Sequence, residues 1–402
     1  MLDANATFQS QTNETEAIIA GGGPAGLAAA ESLAKAGCSV TVLEKNHEIG
    51  SPIRTSGGSF IEELDALGIP AYLYHPVSRV RFLSPHNAAV YDYQDPKLCV
   101  IDVRGVFQFL AGRATEAGAQ IRLGTTVESP LIEDGVVTGV TTKTETLRAK
   151  LVVDATGYRS VLLKQAGLDP GIRRFGVGAE YDLYAPYCDQ REVILLVGSE
   201  LAPSGYAWVF PWGRHRVRVG VGIIHPDSNG KPDDYLDRLV SGLHRFGVNL
   251  RGAQPIEHHS GLIPSECFAP KFAGDGILGV GDAAGHASSL LGEGIRWAIE
   301  AGRLAGDIAG RAIKKGDTSR KTLEEFERTW IKLHGKDLRL AHKINQRISG
   351  WDDHKWDERL DMLKLLTPDQ FVEALKTNLT GKWLLRFLTR NPRALTEAAG
   401  IL

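Results

Sequence analysis

The chain opens on fifteen polar residues, MLDANATFQSQTNET, and turns abruptly apolar at Ala17-Ile18-Ile19-Ala20. A short apolar run bounded by glycine reads as a strand buried on both faces of a parallel sheet. The alanine-rich stretch from Pro24 to Ala36, closed by Gly37, predicts a helix. Ser39-Val40-Thr41-Val42-Leu43 predicts a second strand, and strand, helix and strand within about thirty residues form a βαβ unit. From Val77 to Val100 short alternating pieces (RVRFLSP, AAVYDY) predict antiparallel strands. Residues 105–119 read as helix, and 120–153 as hairpins around a Glu133-Asp134-Gly135 turn. Residues 175–225 are strand-rich, with RVRVGVGII the cleanest alternation in the chain. Residues 285–315 return to an alanine- and glycine-rich helix, and the chain after Thr318 reads as helical with tryptophan and lysine. No repeat of fixed period interrupts this order.

Composition narrows the class. At 402 residues the chain exceeds one compact core, and two or three domains are expected. A net charge of −2 provides no field for nucleic acid. Cys38, Cys99, Cys188 and Cys267 lie far apart without metal spacing, so they read as free thiols in a reducing compartment. The polar start has no signal-peptide core and no run is long enough to span a bilayer, which points to the cytoplasm. Glycine, at 45 residues, is the outlier, and its placement carries the chemistry.

The first cluster, Gly21-Gly22-Gly23-Pro24-Ala25-Gly26, contains GxGxxG between a strand and a helix. Gly21 permits the tight turn, Gly23 lets a pyrophosphate approach the backbone, and Gly26 lets helix and strand pack. The helix start offers free N–H groups and a positive dipole end. Glu44, eighteen residues after Gly26 at the end of the second strand, is placed to accept a ribose hydroxyl. The second cluster, Gly279-Val280-Gly281-Asp282-Ala283-Ala284-Gly285, again runs from strand into small residues, with Asp282 suited to a sugar or ribityl hydroxyl. Two such elements so far apart fit a long dinucleotide better than a nicotinamide nucleotide. A third, Val153-Asp154-Ala155-Thr156-Gly157-Tyr158-Arg159-Ser160, has the same form.

In this order the three clusters resemble those of the FAD-dependent aromatic hydroxylases and their relatives. Gly205-Tyr206-Ala207-Trp208-Val209-Phe210-Pro211, with Val219-Gly220-Val221-Gly222 beyond a turn, is similar to the YxWxFP…VGxG signature of the geranylgeranyl reductase family, which saturates isoprenoid double bonds with reduced FAD. The likeness runs through Gly281-Asp282-Ala283-Ala284-Gly285-His286 to Leu291-Gly292-Glu293-Gly294-Ile295, and so covers about residues 16–310. It implies an α/β fold: a Rossmann-type FAD-binding domain (16–76, 101–165, 270–315), an inserted antiparallel-sheet substrate domain (77–100, 166–269) and a C-terminal helical region (316–402). It also implies a cofactor set of Gly21, Gly23, Pro24, Ala25, Gly26, Glu44, Lys45, Arg54, Arg104, Val127, Asp154, Gly157, Gly281, Asp282, Gly292, Gly294 and Ile295. An external electron donor, NADPH or another, is expected. Tyr206, Trp208, Phe210 and Pro211 would line the substrate cavity, although the same alternation also suits a sheet packed on its own core.

One position departs from the family. Many of its reductases carry Cys-Gly in the loop after the first βαβ unit, whereas Ile53-Arg54-Thr55-Ser56-Gly57-Gly58 has no cysteine. That keeps open a flavin monooxygenase acting on a secondary metabolite. Reduction of an isolated alkene needs hydride at one carbon and a proton at the other. N–H groups of the Gly292-Glu293-Gly294-Ile295 turn would face the reduced flavin's negative charge. Tyr206, His286 and Ser56 are the candidate proton donors, each with a structural role as the alternative. No metal cluster, serine elbow or carboxylate pair appears. Residues 311–402 hold nineteen basic and thirteen acidic side chains, a local +6 against −8 elsewhere. Within them Gly381 to Arg390 mixes Trp, Leu and Phe with cations, which fits either a helix on the protein's own core or peripheral contact with a membrane.

Overall fold

Four short runs, Ala17–Ala20, Val40–Leu43, Leu151–Asp154 and Ile277–Gly279, are buried along their whole length and need cover on both faces. In the computed structural model, which describes residues 15–378, they form the centre of a six-stranded sheet. Gln120–Arg122 lies at one edge and Ala273–Gly274 at the other, and only the latter pairs antiparallel. The registers Ala20↔Leu43, Ala20↔Asp154 and Asp154↔Gly279 bring four strand ends level. The turns leaving those strands therefore meet along one carboxyl edge, the usual place for a ligand in such a sheet.

Cover on one face comes from two helices, Pro24–Lys35 and Ile295–Lys315. Gly302, Gly306 and Gly310 recur at every fourth residue and form one stripe along the second. A methyl group on Gly302 would stand 2.2 Å from the Ala25 carbonyl oxygen, and one on Gly306 2.7 Å from that of Ala29. The helices thus touch backbone to backbone.

The second layer is a seven-stranded sheet, in order Gln254–Pro264, Phe175–Tyr184, Arg216–His225, Tyr206–Gly213, Glu192–Leu196, Arg79–Leu83 and Ala88–Asp92. All its neighbours are antiparallel except Glu192–Leu196 with Arg79–Leu83. Arg218, fully buried, ties this sheet to the rest: its Nη1 donates to the carbonyls of Ser56 (2.7 Å) and Ile101 (3.0 Å). Three helices follow the dinucleotide sheet, Arg320–Ile348, Asp353–Leu363 and Pro368–Leu375, and the last two return across the seven-stranded sheet. There Phe371 stacks on Tyr91 at 4.0 Å and Trp356 packs 6.1 Å from Phe82.

The structure revises several expected boundaries. Leu98–Ile101 pairs with Gly58–Phe60 and Tyr74–Val77 in a separate small sheet instead of joining Arg79–Leu83 and Ala88–Asp92. Within 120–153 the expected hairpins span Val127–Thr142, turned by Asp134 (φ 50°) and Gly135 (φ 83°), and continue into Thr146–Arg148, which pairs antiparallel with Val136–Thr142. Gln120–Arg122 and Leu151–Asp154 belong instead to the parallel sheet. The helix expected from residue 285 starts at Ile295, because Gly285 and Gly292 hold left-handed φ values of 72° and 63°. Residues 1–14 and the Gly381–Arg390 segment lie outside the described residues. Among the described residues no helix is long and apolar enough to cross a membrane.

Because the glycine stripe admits no side chain, Gly306→Val should lower unfolding free energy by about 1–3 kcal/mol, the usual cost of overpacking a tight contact. Denaturant titration checks this, and a midpoint equal to that of the parent protein would show that the helices have room to separate.

Candidate active site

One continuous cavity of about 820 Å³ runs from the carboxyl edge of the parallel sheet to the inner face of the seven-stranded sheet. At the first end the strand Ala17–Ala20 ends in Gly21, whose φ is 116° and where a methyl group would fall 2.2 Å from the Ala155 carbonyl oxygen, so glycine alone fits. Gly23 differs. Its backbone is extended (φ −79°, ψ 177°) and a methyl group on it would meet nothing within 4 Å. It opens onto the cavity at the N-terminus of the Pro24–Lys35 helix, where unpaired N–H groups favour phosphate. Glu44 is buried at the next strand end: one carboxylate oxygen accepts from the Gly22 N–H (2.7 Å), the other from the Asn46 backbone and side chain (2.9 and 2.7 Å). Anchored in this way, its remaining lone pairs face the cavity as a sugar-hydroxyl acceptor would. Lys45 and Arg54 are exposed cations on the same wall.

Ala25, Val127, Gly157, Gly281, Asp282, Gly292, Gly294 and Ile295 also line the cavity, so most of the cofactor set converges. Asp282 sits beside the N-cap of the Ile295–Lys315 helix, with Oδ1 3.6 Å from where a Gly294 methyl would be. Burial pushes its carboxyl up to about 6. These donors, acceptors and the open side of Gly23 fit a pyrophosphate flanked by two sugar-like chains, as in FAD.

Three members of that set stand back from the cavity wall. Gly26 lies in the helix–strand contact, where a methyl would be 2.1 Å from the Gly21 carbonyl oxygen, which is the packing role expected of it. Asp154 does not reach the cavity. Its carboxylate accepts from the Thr156, Leu162 and Leu163 N–H groups and so shapes the turn that presents Gly157. Arg104 is directed to Glu48 (3.7 Å) and Glu257 (3.6 Å).

The far end of the cavity is apolar and aromatic. Trp208 lies across Gly220, with the two strands so close that a methyl there would fall 2.3 Å from the indole. Its Nε1 donates to Glu180 at 3.0 Å. Tyr206 lines the cavity as expected, but its hydroxyl donates to the Leu291 carbonyl (2.6 Å) and burial drives its pKa up, so it holds the loop before Gly292. Phe210 and Pro211 are not on the wall: Phe210 packs onto Gly58 in the core behind it. Ser56 is on the wall, and its carbonyl is the oxygen gripped by Arg218. His286 is not. It stacks among Trp330 (4.4 Å), Phe272 (4.8 Å) and Phe326 (5.7 Å), and burial with the nearby His334 lowers its pKa to about 3. Caged there, the ring does not reach the cavity wall.

Two groups of wall residues escaped the sequence reading. Ile344, Ile348, Trp351, Trp356 and Leu363, from the C-terminal helices, close the apolar end. The sequence reading gave this region only as helical, and helical periodicity does not say which faces meet which. Glu180 and His259 face each other across two strands at 2.8 Å. The run Gly176-x-Gly178-x-Glu180-x-Asp182 was their available signal, since alternation sets all four on one face. Among the described residues no group of side chains is arranged to hold a metal ion.

Gly23→Val should fold normally, its backbone being ordinary for valine, yet retain no FAD after purification, because the side chain enters the pyrophosphate's space. Absorbance near the flavin bands beside a far-UV spectrum checks both halves, and normal flavin content would refute the assignment. Asp282 yields a second test. A carboxyl pKa raised by folding favours the folded state at low pH, and that contribution is lost as pH rises from about 4 to about 6. Flavin-free Asp282→Asn should therefore melt above the flavin-free parent at pH 7.5, and the gap should close by about pH 4.

Comparison with known proteins agrees with this geometry. Residues 14–328 match the family model described as FAD binding domain. The chain is 32% identical over 398 residues to a digeranylgeranylglycerophospholipid reductase of Methanocaldococcus jannaschii, covering 94% of this chain and 96% of that one. A protein of Methanopyrus kandleri called digeranylgeranylglycerophospholipid reductase 2 is 30% identical over 386 residues, covering 92% and 97%. Among solved structures, a geranylgeranyl bacteriochlorophyll reductase-like protein of Thermoplasma acidophilum superposes with a TM-score of 0.85 at 24% identity, covering 97% of this chain and 99% of that one. The chondrochloren halogenase of a myxobacterium shares the fold more distantly, with a TM-score of 0.67 at 17% identity, covering 90% of each chain. The chain is an FAD-dependent oxidoreductase and belongs to the geranylgeranyl reductase family.

Proposed function

We propose that this protein reduces carbon–carbon double bonds of an isoprenoid lipid, with hydride from reduced FAD and electrons from an external donor such as NADPH. The observation that carries this reading is the cavity's far half. It continues the cofactor half without a break and is walled by Trp208, Trp351, Trp356, Ile348 and Leu363. A long apolar chain offers few polar handles, so its affinity comes from buried area, at roughly 25 cal/mol per Å². A wall of aromatic and branched side chains supplies that area. The relatives' names, digeranylgeranylglycerophospholipid reductases, support the same class of lipid.

Bound and reduced, FAD would supply the hydride. The residues of this chain do the rest. The helix starting at Ile295 aims its first N–H groups and positive dipole end into the cavity from Gly294, where negative charge on a reduced flavin would be stabilised. Tyr206 holds the Leu290–Gly294 loop through its bond to Leu291, and the hold fixes that helix start. Arg218 holds the Ser56 carbonyl and with it the opposite wall. The two C-terminal helices exclude water from the reacting end. Contact with a membrane, through Gly381–Arg390, would give such a lipid a route in.

Under anaerobic conditions, chemically reduced holoprotein and a polyprenyl lipid should give product heavier by two hydrogens per bond. Product carrying an added oxygen, formed only in air, would establish a monooxygenase instead. Ile348→Asp places a carboxylate on the apolar wall at a half-buried site. It should lower kcat/KM about 10- to 100-fold with flavin content unchanged.

A further inference from the structure

Of the three expected proton donors, His286 lies off the cavity wall and the Tyr206 hydroxyl is bonded to Leu291, while a buried chain of titratable groups ends on that wall. Glu180 and His259 both line the cavity and are both buried. They stand opposite each other in register on Phe175–Tyr184 and Gln254–Pro264, and the His259 Nδ1 lies 2.8 Å from Glu180 Oε1. On its other side His259 Nε2 lies 3.2 Å from Glu257 Oε2. Glu257 is one-third exposed, so the chain runs from solvent to the cavity through a single imidazole.

The surrounding charges keep it loaded. Burial opposes the imidazolium, but Glu180 and Glu257 on either side outweigh that penalty and raise the His259 pKa above its ordinary value. Burial likewise works against the Glu257 carboxylate, and the His259 hydrogen bond together with Arg104 and Arg216 overcomes it and lowers that pKa. Asp182 on the neighbouring strand is occupied by Arg216 (2.8 Å) and Arg218 (3.4 Å), and Arg54 stands in the loop across Gly261. Glu180 Oε2 accepts from Trp208, which places the carboxyl beside the indole that lines the substrate half.

We propose that Glu180 is the proton donor to the substrate and that His259 and Glu257 reload it from solvent. The inference rests on the reductase reading. The proton held on His259 passes to Glu180 and from it to one alkene carbon, whose π pair forms the new C–H bond and leaves Glu180 as carboxylate again. The adjoining carbon is electron-poor at that moment, and the Glu180 carboxylate and the Trp208 ring on the wall would both stabilise its positive charge. It takes the hydride that reduced FAD supplies. The alkene gains two electrons, the flavin loses two, and one proton passes from His259 to Glu180 and is replaced through Glu257.

Glu180→Gln preserves size and an acceptor for Trp208 but carries no acidic proton. In holoprotein it should cut alkene reduction about 100-fold or more, the usual worth of general acid catalysis, while flavin content and the rate of flavin reduction stay at parent values. His259→Gln should fall similarly and recover in part with added imidazole. Nuclear magnetic resonance of the His259 ring needs no substrate: it should titrate above its ordinary 6.5 in the parent and lower in Glu180→Gln. Equal alkene reduction by Glu180→Gln and the parent overturns the relay and leaves the reductase reading standing. So does a His259 titration that ignores residue 180. A parent protein that saturates no lipid, with the coupled His259 titration intact, overturns the reductase reading instead.

Discussion

The contact between the helices Pro24–Lys35 and Ile295–Lys315 governs the geometry of everything else. Each begins at the cavity, one at the Gly23 end and one at Gly294, and their mutual distance sets the distance between those two ends. Gly302, Gly306 and Gly310 bring the backbones together, against Ala25, Ala29 and Ala36. A side chain of any size in this stripe would push the second helix outward. The Asp282 turn and the Gly292–Gly294 loop would move with it, because they lead into that helix.

A second constraint fixes the opposite wall. The seven-stranded sheet has its own core, and without a tether its position over the cofactor edge would rest on surface packing alone. Arg218 is that tether. Its guanidinium is fully buried, paired with Asp182 on its own sheet and donating to the Ser56 and Ile101 carbonyls beyond it. Breaking such a buried ion pair leaves a stranded charge, so the two layers are held in a single arrangement. The row Glu257, Asp182, Arg218 sets two carboxylates beside one guanidinium across three strands, and the row beside it, His259, Glu180, Gly220, Trp208, meets the cavity. One sheet face thus serves both structure and chemistry.

Expectations drawn from backbone demands held best. Gly21 and Gly26 stand where backbone approaches too closely for a side chain, Gly23 opens onto the cavity, Glu44 bonds the Gly22 N–H from the second strand end, and the Asp282 turn returns to the same edge. Expectations about side chains without a backbone role fared unevenly. Tyr206 and Trp208 are on the wall, but Phe210 shares their face of the strand and is still behind it, since Gly58 brings a second sheet against its ring. His286 follows a cofactor motif directly and yet points into an aromatic cage. Asp154 looked like a ligand group and is the cap of its own turn.

What the sequence by itself determined is the class of cofactor and the order of elements around it. Those rest on local rules: where a strand ends, where glycine alone fits, where a helix starts. Only the tertiary structure decided the apolar half of the cavity. Its walls come from strands and helices far apart in the chain, from Phe82 to Leu375, and no local rule says which buried faces meet. The pairing of Glu180 with His259 is of that kind. It depends on the register between Phe175–Tyr184 and Gln254–Pro264, where a slip of one residue would turn the histidine to the other face.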